Sequence, residues 1–388
     1  MPLFLLILVS MKHLKPVFTP IIFFSTLILG SCGKNNSSGS GTGTRTTGTA
    51  PPTINSISPT HGPGGTAVTI TGSGFNTTTS GNSVAFNGET ASVSSATATQ
   101  LIVVVPKLAG TGKVTVTANG STGTGPVYTY DTTYSNTVVA TGLFNAQCVA
   151  LDSSGNLYIT NQGNGTVIKI TSNGVISTIV SGLDLARGIA VDAQGNLYVA
   201  NSINGSSCFI EKISPQGVTD TLTNVPSEVS GLTLDGAGNI YATAVGAETV
   251  VLKISPSDAT TTLASNPGNV VGADIAIDPA GNLFVTSYVN GGNIFEIGSA
   301  DIETPLSLTG QPPGFYPVGV ATTGTGNLFV TGLINNAIYK ISNYSQVDSI
   351  GTLIYPSGIV ADKTGNLFVI SQIASNGTAG ELSKLSPQ

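Results

Sequence analysis

Six stretches of this sequence place an acid, a glycine and an amide at a fixed spacing, the residue types from which a metal-binding loop is built. They are DSSGNLYIT from Asp152, DAQGNLYVA from Asp192, DGAGNIYAT from Asp235, DPAGNLFVT from Asp278, TGTGNLFVT from Thr323 and DKTGNLFVI from Asp362. A calcium loop gathers roughly six to eight oxygens from several acidic or amide positions on one short segment. Here each copy offers a single carboxylate. The pairs Ser-Ser, Ala-Gln, Gly-Ala, Pro-Ala and Lys-Thr that follow the five aspartates hold no second acid, and the fifth copy has Thr323 in the acid's place. A turn accounts for the same letters. The aspartate accepts backbone N–H bonds from residues just ahead, and a glycine three positions on adopts positive φ without steric cost. The string predicts a hairpin turn and no metal site.

Other ingredients of catalysis are sparse. The only histidines are His13 and His61, which excludes a histidine-based metal centre and any Ser-His-Asp or Cys-His arrangement beyond the first 61 residues. There is no phosphate-cradling glycine loop with its lysine and no paired cysteine motif. The sequence therefore assigns no catalytic residue and no cofactor.

The turns must be held by strands, and their spacing says which. The motif asparagine recurs at Asn156, Asn196, Asn239, Asn282, Asn327 and Asn366. A period of about 40–45 residues with several short strands per unit is the signature of a propeller blade. The second unit divides into GIAVD, NLYVAN, CFIEKIS and VTDTLTN, so residues 131–388 predict a six-bladed β-propeller. The last unit supplies only three strands. Ser135 to Leu143, SNTVVATGL, resembles the strand that ends unit one and is expected to complete the last blade and remove its open edge. The aromatic position Tyr158, Tyr198, Tyr241, Phe284, Phe329 and Phe368 reads as packing between blades.

Residues 51–130 carry alternating strands, TAVTITGSGF, NSVAFNG, ASVSSATATQLIVVVP, GKVTVTANG and PVYTY, the pattern of a small β-sandwich. With 49 glycines, no tryptophan and 8% charged residues, an all-β chain is the expectation throughout.

Residues 1–31 are of another kind. Lys12 and Lys15 precede an apolar stretch and small residues before Cys32, the pattern of a secretory signal, with Met11 as an alternative start. The ending LGSC resembles the bacterial lipobox, which implies cleavage before Cys32 and lipidation of that cysteine. Residues 33–50 are almost free of apolar side chains and predict a flexible tether of about 20–25 Å mean reach. Without residues 1–31 the chain holds 11 basic and 19 acidic residues, a net charge of −8, which disfavours nucleic acid or an anionic membrane surface as partner. Cys148 and Cys208 are no disulfide framework; they read as small buried apolar residues, with pairing as the alternative.

Two resemblances add to this. INSISPTHGPGGTAVTITGSGF with VAFNG, QLIVVVP and GKVTVTANG resembles an IPT/TIG domain, which implies an immunoglobulin-like binding or spacer module. The repeats, in the wording GIAVDAQGNLYVAN, resemble NHL repeats, which implies a propeller and leaves activity open, since that architecture hosts binders, lyases and lactonases. The gluconolactonase type holds a metal through a glutamate, an asparagine and an aspartate. The inner-strand tetrads here read VALD, IAVD, LTLD, IAID, VATT and IVAD, apolar ahead of the turn. The streptogramin-lyase type uses a histidine that this propeller lacks.

A small ligand would be expected at the channel mouth away from the turns. Repeat alignment puts Asn161, Gln162, Arg187, Asn201, Glu228, Asp274, Tyr288, Tyr316 and Gln372 there, with Arg187 as the candidate for an anionic group. The expectation is a non-catalytic cell-envelope lipoprotein, anchored in the outer membrane by lipid alone, whose propeller binds a glycan, peptide or protein. The alternative is a lyase or lactonase using converging acids such as Glu228 and Asp274, and a third reading is a rigid adhesive platform. Replacement Cys32→Ser should abolish incorporation of labelled palmitate and move the protein from the detergent to the aqueous phase on partitioning; retention in the detergent phase would point to an uncleaved anchor.

Overall fold

The structure is a computed structural model that describes residues 50–107, 109–203, 207–225, 228–245, 250–265, 272–288, 292–298, 303–324, 326–372 and 379–388. The expected signal, Cys32 and most of the tether lie outside the described residues. Within them the chain is all-β, and it contains a β-sandwich followed by a six-bladed propeller.

Each blade is a four-stranded antiparallel sheet whose strands follow chain order from the centre outward. The six innermost strands are Ala146–Leu151, Leu185–Val191, Glu228–Leu234, Gly272–Ile277, Pro317–Thr322 and Pro356–Ala361. The second strands are Leu157–Asn161, Leu197–Ile203, Ile240–Val245, Leu283–Ser287, Leu328–Gly332 and Leu367–Gln372, and they are almost wholly buried because blades cover both their faces. The sixth blade has three strands from the C-terminal end of the chain and takes its fourth from Tyr134–Leu143, which pairs antiparallel with Gly380–Pro387. The clasp expected from the sequence closes the ring.

The repeated string forms the turn between first and second strands. In the first blade Asp152 N–H donates to Asn156 O at 3.0 Å, Gly155 N–H donates to Asp152 O at 3.1 Å, and Gly155 sits at φ 80°. The carboxylate is used up locally. Oδ1 accepts the N–H groups of Ser154 and Asn156, and Oδ2 accepts Asn156 Nδ2 and the Tyr158 hydroxyl. Asp192 and Asp235 repeat all four bonds with their own residues. In the fifth blade the backbone bonds persist around Thr323 without a carboxylate. The turn reading of the motif is what the structure contains.

Neighbouring blades are joined at a second recurrent feature. Every innermost strand carries a bulge near the end opposite the turn. A bulge takes an N–H out of the ladder, and a threonine from the second strand meets it. Thr160, Thr286 and Thr331 accept from Cys148, Asp274 and Gly319 N–H at 3.3, 3.0 and 2.8 Å. Each also donates to the next blade, to Arg187 O, Val318 O and Ser357 O at 2.7, 2.6 and 2.7 Å. Thr243 accepts from Gly231 N–H in the same way.

The sandwich strands run Thr53–Ser58, His61–Gly62, Ala67–Ser73, Asn82–Phe86, Glu89–Ala96, Gln100–Val104, Gly112–Ala118 and Ser121–Tyr130. They enclose one core of alternating residues that includes Val68, Ile70, Phe86, Leu101, Val103, Val114, Val116 and Tyr128. The run ASVSSATATQLIVVVP is two strands and not one. Thr97 Oγ1 accepts the N–H groups of Thr99 and Gln100, and this local bond competes with continued extension.

Replacement Thr331→Val keeps the shape of a fully buried side chain while removing both bonds. It leaves a buried N–H and a buried C=O without that partner, a loss of about 1–3 kcal/mol. Equilibrium urea unfolding should show that decrease, and an unchanged midpoint would remove the bridge as a stabilising element.

Candidate channel and mouth

Two ends of the propeller follow from this topology. One carries the aspartate turns. The other carries the loops from second to third strands and the crossovers between blades, and the expected mouth residues belong to that crossover face.

The structure divides them. Asn161 and Asn201, expected at the mouth, are buried within the blades. Asn161 Oδ1 accepts Phe144 N–H at 3.3 Å and Asn201 Oδ1 accepts Asp184 N–H at 2.9 Å, so each amide secures the crossover entering its own blade. Asn201 Nδ2 also donates to Glu211 Oε1 at 3.0 Å. Gln162 accepts from Asn145 Nδ2, and Gln372 donates to Ala146 O. Tyr288 is exposed and Tyr316 half-buried on the surrounding loops.

Arg187 and Asp274 border the channel end, and Glu228 is tied to it through Arg187. Arg187 Nη2 lies 2.8 Å from Glu228 Oε1, in a half-buried ion pair. Arg187 was expected to meet an anionic ligand, but its charge is already met within the protein. Asp274 and Arg187 border a hollow of 40 Å³ together with Gln147, Cys148, Ser230, Val318 and Ser357. The sequence reading had missed Gln147, Ser230 and Ser357. They occupy the fifth position before the turn residue in their units, the same place as Arg187, and that alignment is the signal that could have found them.

On the turn side of Asp274 the channel widens to 320 Å³ and runs along the innermost strands to Leu151, Val191, Leu234, Ile277, Thr322 and Ala361, the residues just before the turns. Asp274 stands where four blades have Gly188, Gly231, Gly319 and Gly358, and one has Cys148. Its Oδ1 accepts Ile275 N–H at 2.9 Å and its Oδ2 accepts Val320 N–H of the next blade at 3.1 Å. Burial pushes its pKa up to about 7, against the two N–H bonds, which favour the charged form. Burial also pushes the Cys148 thiol well up, with the Asp274 charge adding and Arg187 opposing. Cys148 and Cys208 are both free thiols. For Asp152, Asp235 and Asp362 burial acts to raise the pKa, but the asparagine and backbone bonds outweigh it and hold these carboxyls below their ordinary value. Among the described residues no three His, Cys, Asp or Glu side chains come together to hold a metal ion.

Residues 52–134 match the IPT/TIG domain. Over both parts the fold is similar to that of an auxiliary nutrient binding protein from Bacteroides thetaiotaomicron VPI-5482. The TM-score is 0.54 and the identity 16%, covering 87% of this chain and 98% of that one. An auxiliary nutrient binding protein from Bacteroides ovatus ATCC 8483 gives 0.53 and 13%, again over 87% and 98%. A gluconolactonase from Xanthomonas campestris gives 0.56 and 15%, over 66% of this chain and 90% of that one. At these identities the likeness is one of fold. No curated protein matches the sequence.

The raised pKa has a consequence for stability. A carboxyl whose folded pKa lies above its unfolded value of about 3.9 binds its proton more tightly in the folded state. Its contribution is most favourable below the unfolded pKa and is lost as pH rises through about 7. Asp274→Gly, which installs the residue of four other blades, should therefore gain melting temperature relative to the parent as pH goes from 5 to 8. A margin independent of pH would show that Asp274 does not titrate abnormally.

Proposed function

We propose that the chain is a non-catalytic cell-envelope lipoprotein whose propeller binds a glycan, peptide or protein partner at its crossover face, with the IPT/TIG domain as spacer. The observation that carries this reading is the position of polar atoms buried without an intramolecular partner. Arg187 Nε, Ser287 Oγ, Asn335 Oδ1 and Gln372 Oε1 all belong to the crossover half of their blades. Buried polar groups are ordinarily paired, and these four lack a partner inside the protein just beneath the face a ligand would occupy. Exposed Phe144, Tyr288, Ile354 and Tyr355 lie on loops of the same face and offer apolar surface beside them. The two Bacteroides folds that match both parts of this chain are named for nutrient binding, which agrees with a ligand. Attachment through lipid on Cys32 rests on the lipobox-like LGSC that precedes it.

A lyase or lactonase is the second reading. Asp274, with a pKa near 7 at the end of a channel, has the property of a general acid or base. Against it, Glu228 is paired with Arg187 and Asp274 is bonded to backbone N–H groups, so the two acids do not act on a common point.

Both readings are separated by one set of measurements on the chain without its leader. Calorimetric titration with oligosaccharides and peptides should find a ligand whose affinity drops about tenfold in Gln372→Ala, the loss of one buried hydrogen bond. Turnover of gluconolactone that disappears in Asp274→Asn would favour the enzyme instead, and ligand binding indifferent to Gln372→Ala would move the site away from this face.

A further inference from the structure

The crossover face does not account for the channel itself. The channel holds 320 Å³, at the lower end of the range of about 300–1,000 Å³ for small-molecule sites. Its wall includes Ala150, Ala190, Ala276, Ala321 and Val360, with Thr233 as a hydroxyl among them. Each innermost strand is the edge of its sheet, so backbone groups outside the ladder add acceptors and donors along the wall. One ionisable acid closes this space. Beyond Asp274 the hollow on the crossover side, 40 Å³, is too small for more than a water or two.

Among the described residues Asp274 has no cation of its own. Its carboxylate oxygens meet two backbone N–H groups. The channel end brings Cys148 of the first blade and Arg187 of the second into its neighbourhood, and Glu228 of the third blade is paired with that arginine. The innermost strands of the fifth and sixth blades, Pro317–Thr322 and Pro356–Ala361, contribute no titratable side chain. Cys148 carries a thiol held protonated by burial, and Arg187 is paired with Glu228. A carboxylate half-withdrawn from water at a channel end is stabilised by an opposite charge that meets it there. The walls leave room for one that arrives with an apolar body attached.

We propose that the channel is a binding site for a small organic monocation, an ammonium head on a short apolar body, with Asp274 as counter-ion and access from the turn face. A divalent metal suits the place less well, since a hard cation takes roughly six or more oxygens, several of them anionic, and one carboxylate is present. A neutral ligand of the same shape would fill the walls and leave the acid unmatched. The site is separate from the crossover face and does not depend on what binds there.

The test uses 3-methylbutylammonium chloride and the isosteric alcohol 3-methylbutan-1-ol, titrated calorimetrically into the leaderless chain at pH 6 and pH 8. The ammonium ion should bind about tenfold or more tightly than the alcohol, the scale of one charge-assisted contact. Its affinity should rise about tenfold between the two pH values as the acid ionises around pH 7. Asp274→Asn and Asp274→Gly should both lose the preference for the cation, with melting curves confirming that each is folded. Equal binding of alcohol and ammonium, binding that survives both substitutions, or no binding of the ammonium at pH 8 would each overturn the proposal. So would displacement of the ammonium by calcium or magnesium in a manner reversed by chelator, which would make the site a metal site.

Discussion

The propeller depends on how closely its six innermost strands approach one another. An added Cβ at Gly319 would come within 2.2 Å of Ser357 O, and one at Gly358 within 2.6 Å of Gln147 O. At Gly231 it would lie 2.8 Å from Asp274 Cα. Backbones that close leave no room for a side chain at these three positions, and they bring the bulged N–H of one blade near the carbonyl of the next. A threonine hydroxyl can accept from the first and donate to the second. That single group joins ladder repair within a blade to adhesion between blades, which is why Thr160, Thr286 and Thr331 are wholly buried yet polar. Ala200 and Ile370 hold the corresponding positions of the second and sixth blades. The hydroxyl bridge is therefore a recurrent device and not an invariant one, and apolar packing completes the ring where it is missing.

The turns show the same exchange between local and neighbouring chemistry. In the first three blades a tyrosine hydroxyl completes the aspartate cage, and the lysine opposite stands over the tyrosine ring at 5.3–5.6 Å. The fourth blade has Phe284 and Glu296 at those two places. Its Asp278 is served instead by Tyr344 of the fifth blade, whose hydroxyl donates at 3.1 Å and whose ring packs on Phe284 with centroids 4.8 Å apart. Burial and this bond push Tyr344 up to about 12, so it remains a donor across the ordinary pH range. The cage has kept its hydroxyl by drawing it from the adjacent blade.

These particulars explain what could be read from the letters alone. Blade number, strand order and the clasp were legible because they rest on local grammar, a glycine at positive φ and an alternation of apolar residues, repeated six times. The site was legible only in part. Arg187, Glu228 and Asp274 were found by aligning the units, but their partners were not, because an ion pair across two blades has no fixed spacing in sequence. Asn161 and Asn201 align with the mouth in the repeat, but their burial and their bonds to the crossovers are set by the folded blade and have no signature in that alignment. The tetrads VALD to IVAD began one residue after Asp274 and Cys148, the two departures from glycine in the ring. The steric demand that makes those departures informative lies between blades, and it becomes visible only when the backbones are set side by side.

Asp274 also costs the ring something. Its carboxyl is half-buried at the channel end, and its bulk stands where four blades have a glycine. Five of the propeller's lysines, Lys169, Lys212, Lys253, Lys340 and Lys384, sit opposite the aromatic residues next to the turns. Arg187, nearest the channel end, is held by Glu228. Among the described residues no lysine or arginine is paired with the acid at the end of the channel. Two backbone N–H groups meet the carboxylate, one of them from the next blade, and a half-buried acid held by dipoles alone is of the kind a stability–function trade-off produces. Glycine occupies the same position in four other blades, so closure of the ring does not require an acid there.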